Sequence, residues 1–363
     1  MAARELNEMP VRRQGLRVQF EASPAYEFLM SLCVFSDSED ASTYEVGKAW
    51  FESTREKLSP ALLDTIEQFS FHSHEMWEHI SALAYTCPPP RDVPTLLAYL
   101  ETIDPHELRL HMLGYYVRQH RHATPPDVIY AAAQGDIEAQ RKFIRTSVPD
   151  DAGWQKTVRW ILSLETAAAK ERLLEIVHGW YDEVFREQEP QLMAILARDI
   201  EAKRALQATH TPEQLIEICT GWEYVPEPGI RRVILVPSYV SRPFNGDAES
   251  GDTHIFIYPA SDDSILADAS APPAHLLKLA KALGDERRLR ILKKLSTGSY
   301  TLQELADDFG VAKTTIHHHL IHLRSVGLVR MRMSDKRFSL RQYAIENLGE
   351  LLSRYLNGPS QLE

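Results

Sequence analysis

The sequence predicts a mainly α fold in two parts. A large helical N-terminal domain ends in a small β-hairpin, and a smaller basic C-terminal domain follows. Three observations predict it. Apolar residues recur at helical spacing through residues 22–219. The period drops to two at residues 232–236 (RVILV) and 254–258 (HIFIY). Residues 272–357 then break into short amphipathic stretches, each stopped by a glycine.

The first 18 residues carry Arg4, Arg12, Arg13 and Arg17 around no apolar core, so they read as a disordered basic tail and not as a secretory signal. Helices are expected over 24–35, 44–58, 60–69 and 74–85, the last stopped by Cys87-Pro88-Pro89-Pro90. Further helical patterns cover 95–100, 107–119, 127–133 and 154–187, with Pro190 interrupting before 191–206. Thr211-Pro212-Glu213-Gln214 opens a short helix, with Thr as cap and Pro at the first helical position. The two β-rich runs, separated by Asn245-Gly246 and an acidic stretch, read as a hairpin with a long loop. Residues 261–274 are small, acidic and close on Pro272-Pro273, which is linker composition. The expected domains are therefore 19–260 for sensing or dimerisation, a linker over 261–274, and a DNA-binding domain over 275–357.

Charge divides the chain in the same way. The net charge is −11, but residues 272–341 carry +8 and residues 1–271 carry −17. A basic module on an acidic body points to local contact with a polyanion. No run approaches the roughly 18 apolar residues a membrane span needs, so no membrane partner is expected. The cysteines Cys33, Cys87 and Cys219 are odd in number and far apart, which fits a reducing cytoplasm and no disulfide framework.

Within the basic module, one amphipathic helix ends at Gly284, and Asp285 caps the next, which carries Arg287, Arg288 and Arg290. Thr301-Leu302-Gln303-Glu304 is a capping box, Gly310 makes a tight turn, and a further helix runs from Lys313 to Gly327. Helix, short glycine turn and helix make a helix-turn-helix. Ile316, Leu320 and Leu323 share the core face of the last helix. Lys313, Thr314, His317 and His318 lie on the other side, as a major-groove reader requires. Two short strands over 328–333 and 338–341, joined by a basic tip, make a wing. Thr315, Arg332, Lys336 and Arg337 are the expected backbone and wing contacts.

The stretch KALGDERRLRILKKLSTGSYTLQELADDFGVAKTTIHHHLIHLRSVGLV resembles the ArsR/SmtB winged helix-turn-helix regulators. The resemblance rests on Leu283-Gly284-Asp285, residues 288–292 (RLRIL), Glu304-Leu305-Ala306, His319-Leu320, Leu323 and Gly327-Leu328-Val329, within a domain that makes up about a quarter of the chain. It implies a homodimer that reads an inverted repeat, and most such regulators are repressors released by an effector. The preceding region is similar to an uncharacterised helical domain attached to some of these regulators, which brings no ligand with it. Two departures matter. The family's cysteine metal motif is replaced by ELADDF at 304–309, and the usual Ser cap of the recognition helix is Ala312.

Other motifs are weaker. His318 and His322 stand four apart, but no acidic or thiolate partner is near in sequence, so no metal is assigned. Their titration near neutral pH would make DNA affinity pH-sensitive. His74-Glu75 with His79 places the histidines five apart, about 140° round a helix, whereas zinc-protease helices need four; neighbouring His72 adds nothing to that spacing. No nucleotide-binding or hydrolase fingerprint is present and no cofactor is expected. The expectation is thus a cytoplasmic DNA-binding regulator that is not an enzyme, with an unidentified small-molecule effector as a further partner. Its rivals are an enzyme-derived N-terminal domain tethered to DNA and a winged helix used for protein contact.

Overall fold

The computed structural model describes residues 16–37, 41, 44–70, 74–117, 124–147, 152–265, 274–332, 335–341, 344–345 and 348–357. The first 15 residues of the basic tail, most of the linker and His72 lie outside this set.

The N-terminal body is built around α1 (Pro24–Ser36), which is buried along nearly its whole length. That burial follows from its composition: PAYEFLMSLCVFS is apolar all round, so every face must be covered. Around it pack α2 (Gly47–Lys57), α3 (Pro60–Ser70), α4 (Glu75–Thr86), α5 (Val93–Thr102) and α6 (Pro105–Met112), then α7 (Pro126–Ala133), α8 (Ile137–Ser147), α9 (Ala152–Ser163) and α10 (Thr166–Trp180). Trp77, Trp154 and Trp180 are fully buried and Trp222 is buried too, so four of the six tryptophans are core. The sequence reading missed α8, whose segment IEAQRKFIRTS is mostly polar and buries Phe143 and Ile144.

Pro190 does not end the long helical stretch. It sits inside α11 (Arg186–Ala205), and the turn before, Tyr181–Phe185, is π-helical. A wide turn of this kind relaxes the hydrogen-bond ladder next to the proline, whose nitrogen has no hydrogen to donate. The helix α12 (Pro212–Thr220) begins as expected: Thr211 Oγ1 accepts from Gln214 N at 3.3 Å, and Gln214 Oε1 accepts from Thr211 N at 2.9 Å.

The sheet corrects the expected hairpin. Its strand order is β1-β3-β5-β4, formed by β1 (Arg17–Phe20), β3 (Arg232–Ser238), β5 (Thr253–Pro259) and β4 (Gly246–Ser250). The two β-rich runs are parallel neighbours, with Val233 beside His254, and the hairpin is β4–β5, with Ala248 opposite Ile255. Alternation reveals which residues share a face but not which strands pair. β1 starts at Arg17, so the end of the expected tail is ordered. Both faces of the sheet are covered: Ile234, Val236, Ile255 and Ile257 join the helical core, while Val233, Leu235, Phe256 and Tyr258 face α12 and Trp222.

Two buried carboxylates fasten the sheet to the helices. Asp199 of α11 accepts from Tyr258 Oη, Ser261 N and Ser261 Oγ, each at 2.7 Å. This ties the start of α13 (Asp262–Ile265) to the body. Glu27 of α1 accepts from the backbone of Tyr239 and Val240 at 3.0 Å.

The C-terminal module has its own core of Leu279, Ile291, Leu295, Leu305, Ile316, Leu320, Leu323 and Leu328. Its elements are α14 (Ala274–Leu283), α15 (Glu286–Leu295), α16 (Leu302–Phe309), α17 (Lys313–Ser325), β6 (Val329–Arg332), β7 (Phe338–Leu340) and α18 (Leu348–Asn357). A short strand of the N-terminal body, β2 (Trp222–Glu223), pairs in parallel with β6, placing Trp222 beside Met331 and Glu223 beside Arg332.

Burial pushes the Glu27 carboxyl up to about 7. Its folded value therefore lies above its unfolded one, and its contribution to stability falls as pH rises from about 4.5 through 7. Glu27→Gln is expected to keep the two backbone hydrogen bonds and flatten the loss of melting temperature between pH 5 and 8. A wild-type slope unchanged in the variant would show that Glu27 is not its source.

Candidate nucleic-acid interface

Local chemistry sets the angle between the two helices of the turn. Thr301 Oγ1 accepts from Glu304 N at 3.2 Å, and Glu304 Oε2 accepts from Thr301 N at 2.8 Å, so α16 starts in a reciprocal capping box. Asp285 caps α15 by accepting from Arg288 N at 2.9 Å. Gly310 ends α16 at φ +64°, a left-handed conformation that glycine adopts without a Cβ clash. α17 then begins at Lys313 behind Ala312, which supplies no side-chain cap.

The faces of α17 fall where the spacing puts them. Ile316, Leu320 and Leu323 are buried. Lys313, Thr314, His317 and His318 are exposed, and Thr315 is half-buried. Burial, and after it the neighbouring cations and imidazoles, lowers the pKa values of His317, His319 and His322. The edge-to-face rings of His318 and His322 have centroids 4.6 Å apart. Among the described residues, the trio with metal-ligand spacing lies elsewhere: Glu227, Glu249 and His254 offer atoms within 4.8 Å of one another.

The wing is folded as expected, with Met331 opposite Phe338. Its arginines, however, are engaged. Arg332 donates to Glu223 of β2 at 3.1 Å and to Asp335 at 3.3 Å. Arg330 donates to both carboxylate oxygens of Glu217 at 3.1 Å. Arg337 is held within its own module by Ser299 O at 2.7 Å and Glu304 at 3.0 Å. Lys336 stays exposed at the tip with φ +53°.

Residues 285–331 match the arsR family of bacterial regulatory proteins. The arsR-type match runs from the cap of α15 to the middle of β6, so it contains the whole helix-turn-helix and stops inside the wing. It supports a DNA-binding transcription regulator. No curated protein and no solved structure matches the chain. No helix among the described residues is long and apolar enough to cross a membrane.

Sequence reasoning did not anticipate where the expected reading face of the arsR-type module points. Thr314, His317 and His318 share a cavity of about 410 Å³ with Asp37, His74 and Glu78 of the N-terminal body. Asp37 holds His74 protonated up to about 9 against its burial, and burial raises Glu78 to about 7. A major groove is about 12 Å wide and 8.5 Å deep, with phosphate walls that must straddle the helix. With the body walling the same cavity, a duplex seated on these side chains would come up against Asp37 and Glu78. Five ion pairs in three groups tie the modules in this position: Arg330 and Arg341 with Glu217, Arg332 with Glu223, and Lys278 with Glu45 and Asp262. The charge split was the one signal available. It showed that the modules attract, but not which faces meet.

The Glu227–His254 pair stands four residues beyond the strand that holds the wing. Burial alone would lower His254, but its hydrogen bond to Asp247 at 3.3 Å and the carboxylate of Glu227 3.7 Å from its other ring nitrogen outweigh it and raise the pKa to about 9. A raised histidine contributes stability in full below its unfolded value of about 6.5 and loses it as pH rises through 9. The melting temperature is therefore expected to fall between pH 7.5 and 9.5, and His254→Gln to lose most of that fall. An equal fall in both proteins would assign it to other groups.

Proposed function

We propose that this chain is a sequence-specific transcriptional regulator, a repressor acting as a homodimer, whose DNA-reading helix is held against its own N-terminal body until a signal releases it. The observation that carries the reading is a helix-turn-helix of arsR type whose groove-facing residues look into the body. In the released state Lys313, Thr314, His317 and His318 read base edges. Thr315, Arg332, Lys336 and Arg337 contact the backbone, with Arg332 freed from Glu223. A two-fold dimer then requires half-sites about 10 base pairs apart, centre to centre, or a multiple of that. The N-terminal body acts as the sensor, not as an enzyme. The winged helix as a protein-contact module is a second reading, and the packing of the reading helix on the body favours it to that extent.

The two readings part on one experiment. Glu217→Lys with Glu223→Lys puts like charges against Arg330, Arg341 and Arg332 and leaves the reading helix untouched. Full-length protein carrying both changes is expected to bind its upstream intergenic DNA at least tenfold tighter than wild type, by fluorescence anisotropy. Affinity should fall steeply with salt as phosphates are neutralised. A change of the same kind in Lys313 and His317, to Ala, should abolish the gain. A double variant that folds and still binds no DNA at low salt would favour protein contact.

A further inference from the structure

We infer that the cleft between the two modules is a binding site for a small organic anion, a carboxylate or phosphate ester, and that its occupation holds the closed arrangement. The cleft is a cavity of about 390 Å³, within the usual range for small-ligand sites. Its walls come from both sides: Thr220, Trp222 and Asn245 from the body, and Arg324, Ser325 and Gly327 from the end of α17 and the turn after it.

Charge within it is unbalanced. Glu45 and Asp262 are engaged by Arg242 and Lys278, and Arg341 is engaged by Glu217. Two further cations in the wall, Arg324 and Lys203, have side chains that make no hydrogen bond or ion pair with any described residue. Asp263, exposed on the same wall, is the remaining carboxylate. Arg324 is half-buried, and its Nε is fully buried without a partner. The Trp222 ring lies 5.9 Å from its guanidinium carbon, which gives the cation a π face but no acceptor. The indole Nε1 of Trp222 is a second buried donor without a partner. Asn245 gives its amide to Thr220 O at 2.8 Å, and its Oδ1 is a buried acceptor left over.

Buried donors ordinarily find acceptors, and a guanidinium is built to bind carboxylate or phosphate through two parallel hydrogen bonds. The cleft therefore offers a cationic fork, a second ammonium, an indole donor and one acceptor for a ligand hydroxyl. Trp222, Phe244 and Ile321 supply apolar wall for the rest of the molecule. Burial also lowers the Arg324 pKa to about 10, the direction expected of a cation without a counter-charge. A ligand touching Arg324 and Lys203 together can do so in the closed arrangement alone, so it favours that state over the released one. This regulatory sign rests on the function proposed above, whereas the site itself does not.

The test uses the full chain, with phenyl phosphate and benzoate as probes and benzyl alcohol as the uncharged control, at ionic strength fixed with sodium chloride. Calorimetric titration and thermal unfolding are read for wild type, Arg324→Met and Lys203→Met. Saturable binding of either anion to wild type, a higher melting temperature, no response to benzyl alcohol and at least a tenfold weakening in both variants are expected. Binding of phenyl phosphate alone would assign the site to phosphate esters, and of benzoate alone to carboxylates. Lys203 lies on the surface of α11, so its variant keeps the test open if Arg324→Met does not fold. No saturable binding of either anion, or binding undiminished in the folded variants, would overturn the site. In the DNA assay the bound anion should weaken affinity about fivefold or more. An anion that binds without changing DNA affinity would overturn the regulatory sign. A wild type that binds anion but never DNA would overturn the proposed function and leave the site standing.

Discussion

The parallel pairing of β2 with β6 is the constraint on which the arrangement of the two modules depends. It is only two residues long on each side, yet it joins the wing to the sheet region of the N-terminal body. Met331 N donates to Gly221 O at 3.3 Å, and Met331 packs against both the C-terminal core and the cluster around Trp222. A wing normally presents its outer strand to solvent or to a phosphate backbone. Here the edge of β6 is occupied by protein, so the strand edge is not left open for pairing with another chain. With that edge engaged, α17 shares a cavity with residues of α1 and α4.

Much of this fold was legible in the sequence, and the part that was not has physical reasons. Helix starts were readable where the cap is chemical and local: Thr211, Asp285 and Thr301 each accept the backbone hydrogen bond their sequence promised. The core face of α17 was readable because Ile316, Leu320 and Leu323 keep helical spacing. Strand pairing was not, because residues 232–236 and 254–258 are apolar on both faces and fit several partners equally well. The break at Pro190 was misplaced because a π-helical turn absorbs the proline, and no residue type announces such a turn. The reading residues were identifiable as a face, whereas their orientation toward Asp37 and Glu78 depends on contacts between segments more than 200 residues apart in sequence.

The ion pairs between the modules are suited to a switch. Arg330 with Glu217 and Arg332 with Glu223 have partners between about a quarter and two-fifths exposed. Half-exposed pairs contribute on the order of 1 kcal/mol or less each, and the two-residue strand pairing adds little backbone area. An interface of this kind opens at modest cost, unlike the apolar cores on either side of it. Arg324 shows the opposite strategy: its side chain pairs with no carboxylate among the described residues, and its Nε is buried without a partner. An anion in the cleft would supply one, and differential contact of that sort is what shifts a two-state equilibrium.

On the proposed function DNA and the N-terminal body compete for the wing, and that competition sets how salt acts. Arg330 and Arg332 meet carboxylates in the closed arrangement, and on the proposed function Arg332 turns to phosphate in the released one. Salt weakens DNA contact through counterion release, and it also screens the half-exposed pairs that keep the module closed. The two effects oppose each other in the measured affinity. The slope of log affinity against log salt is therefore shallower for the full chain than the number of wing and helix cations would give. Removing the carboxylates at 217 and 223 takes away the closed-state term and restores the steeper slope. A winged helix whose cations were free in solution would show the steep slope from the start, so the slope itself reports whether the closed arrangement is the resting state.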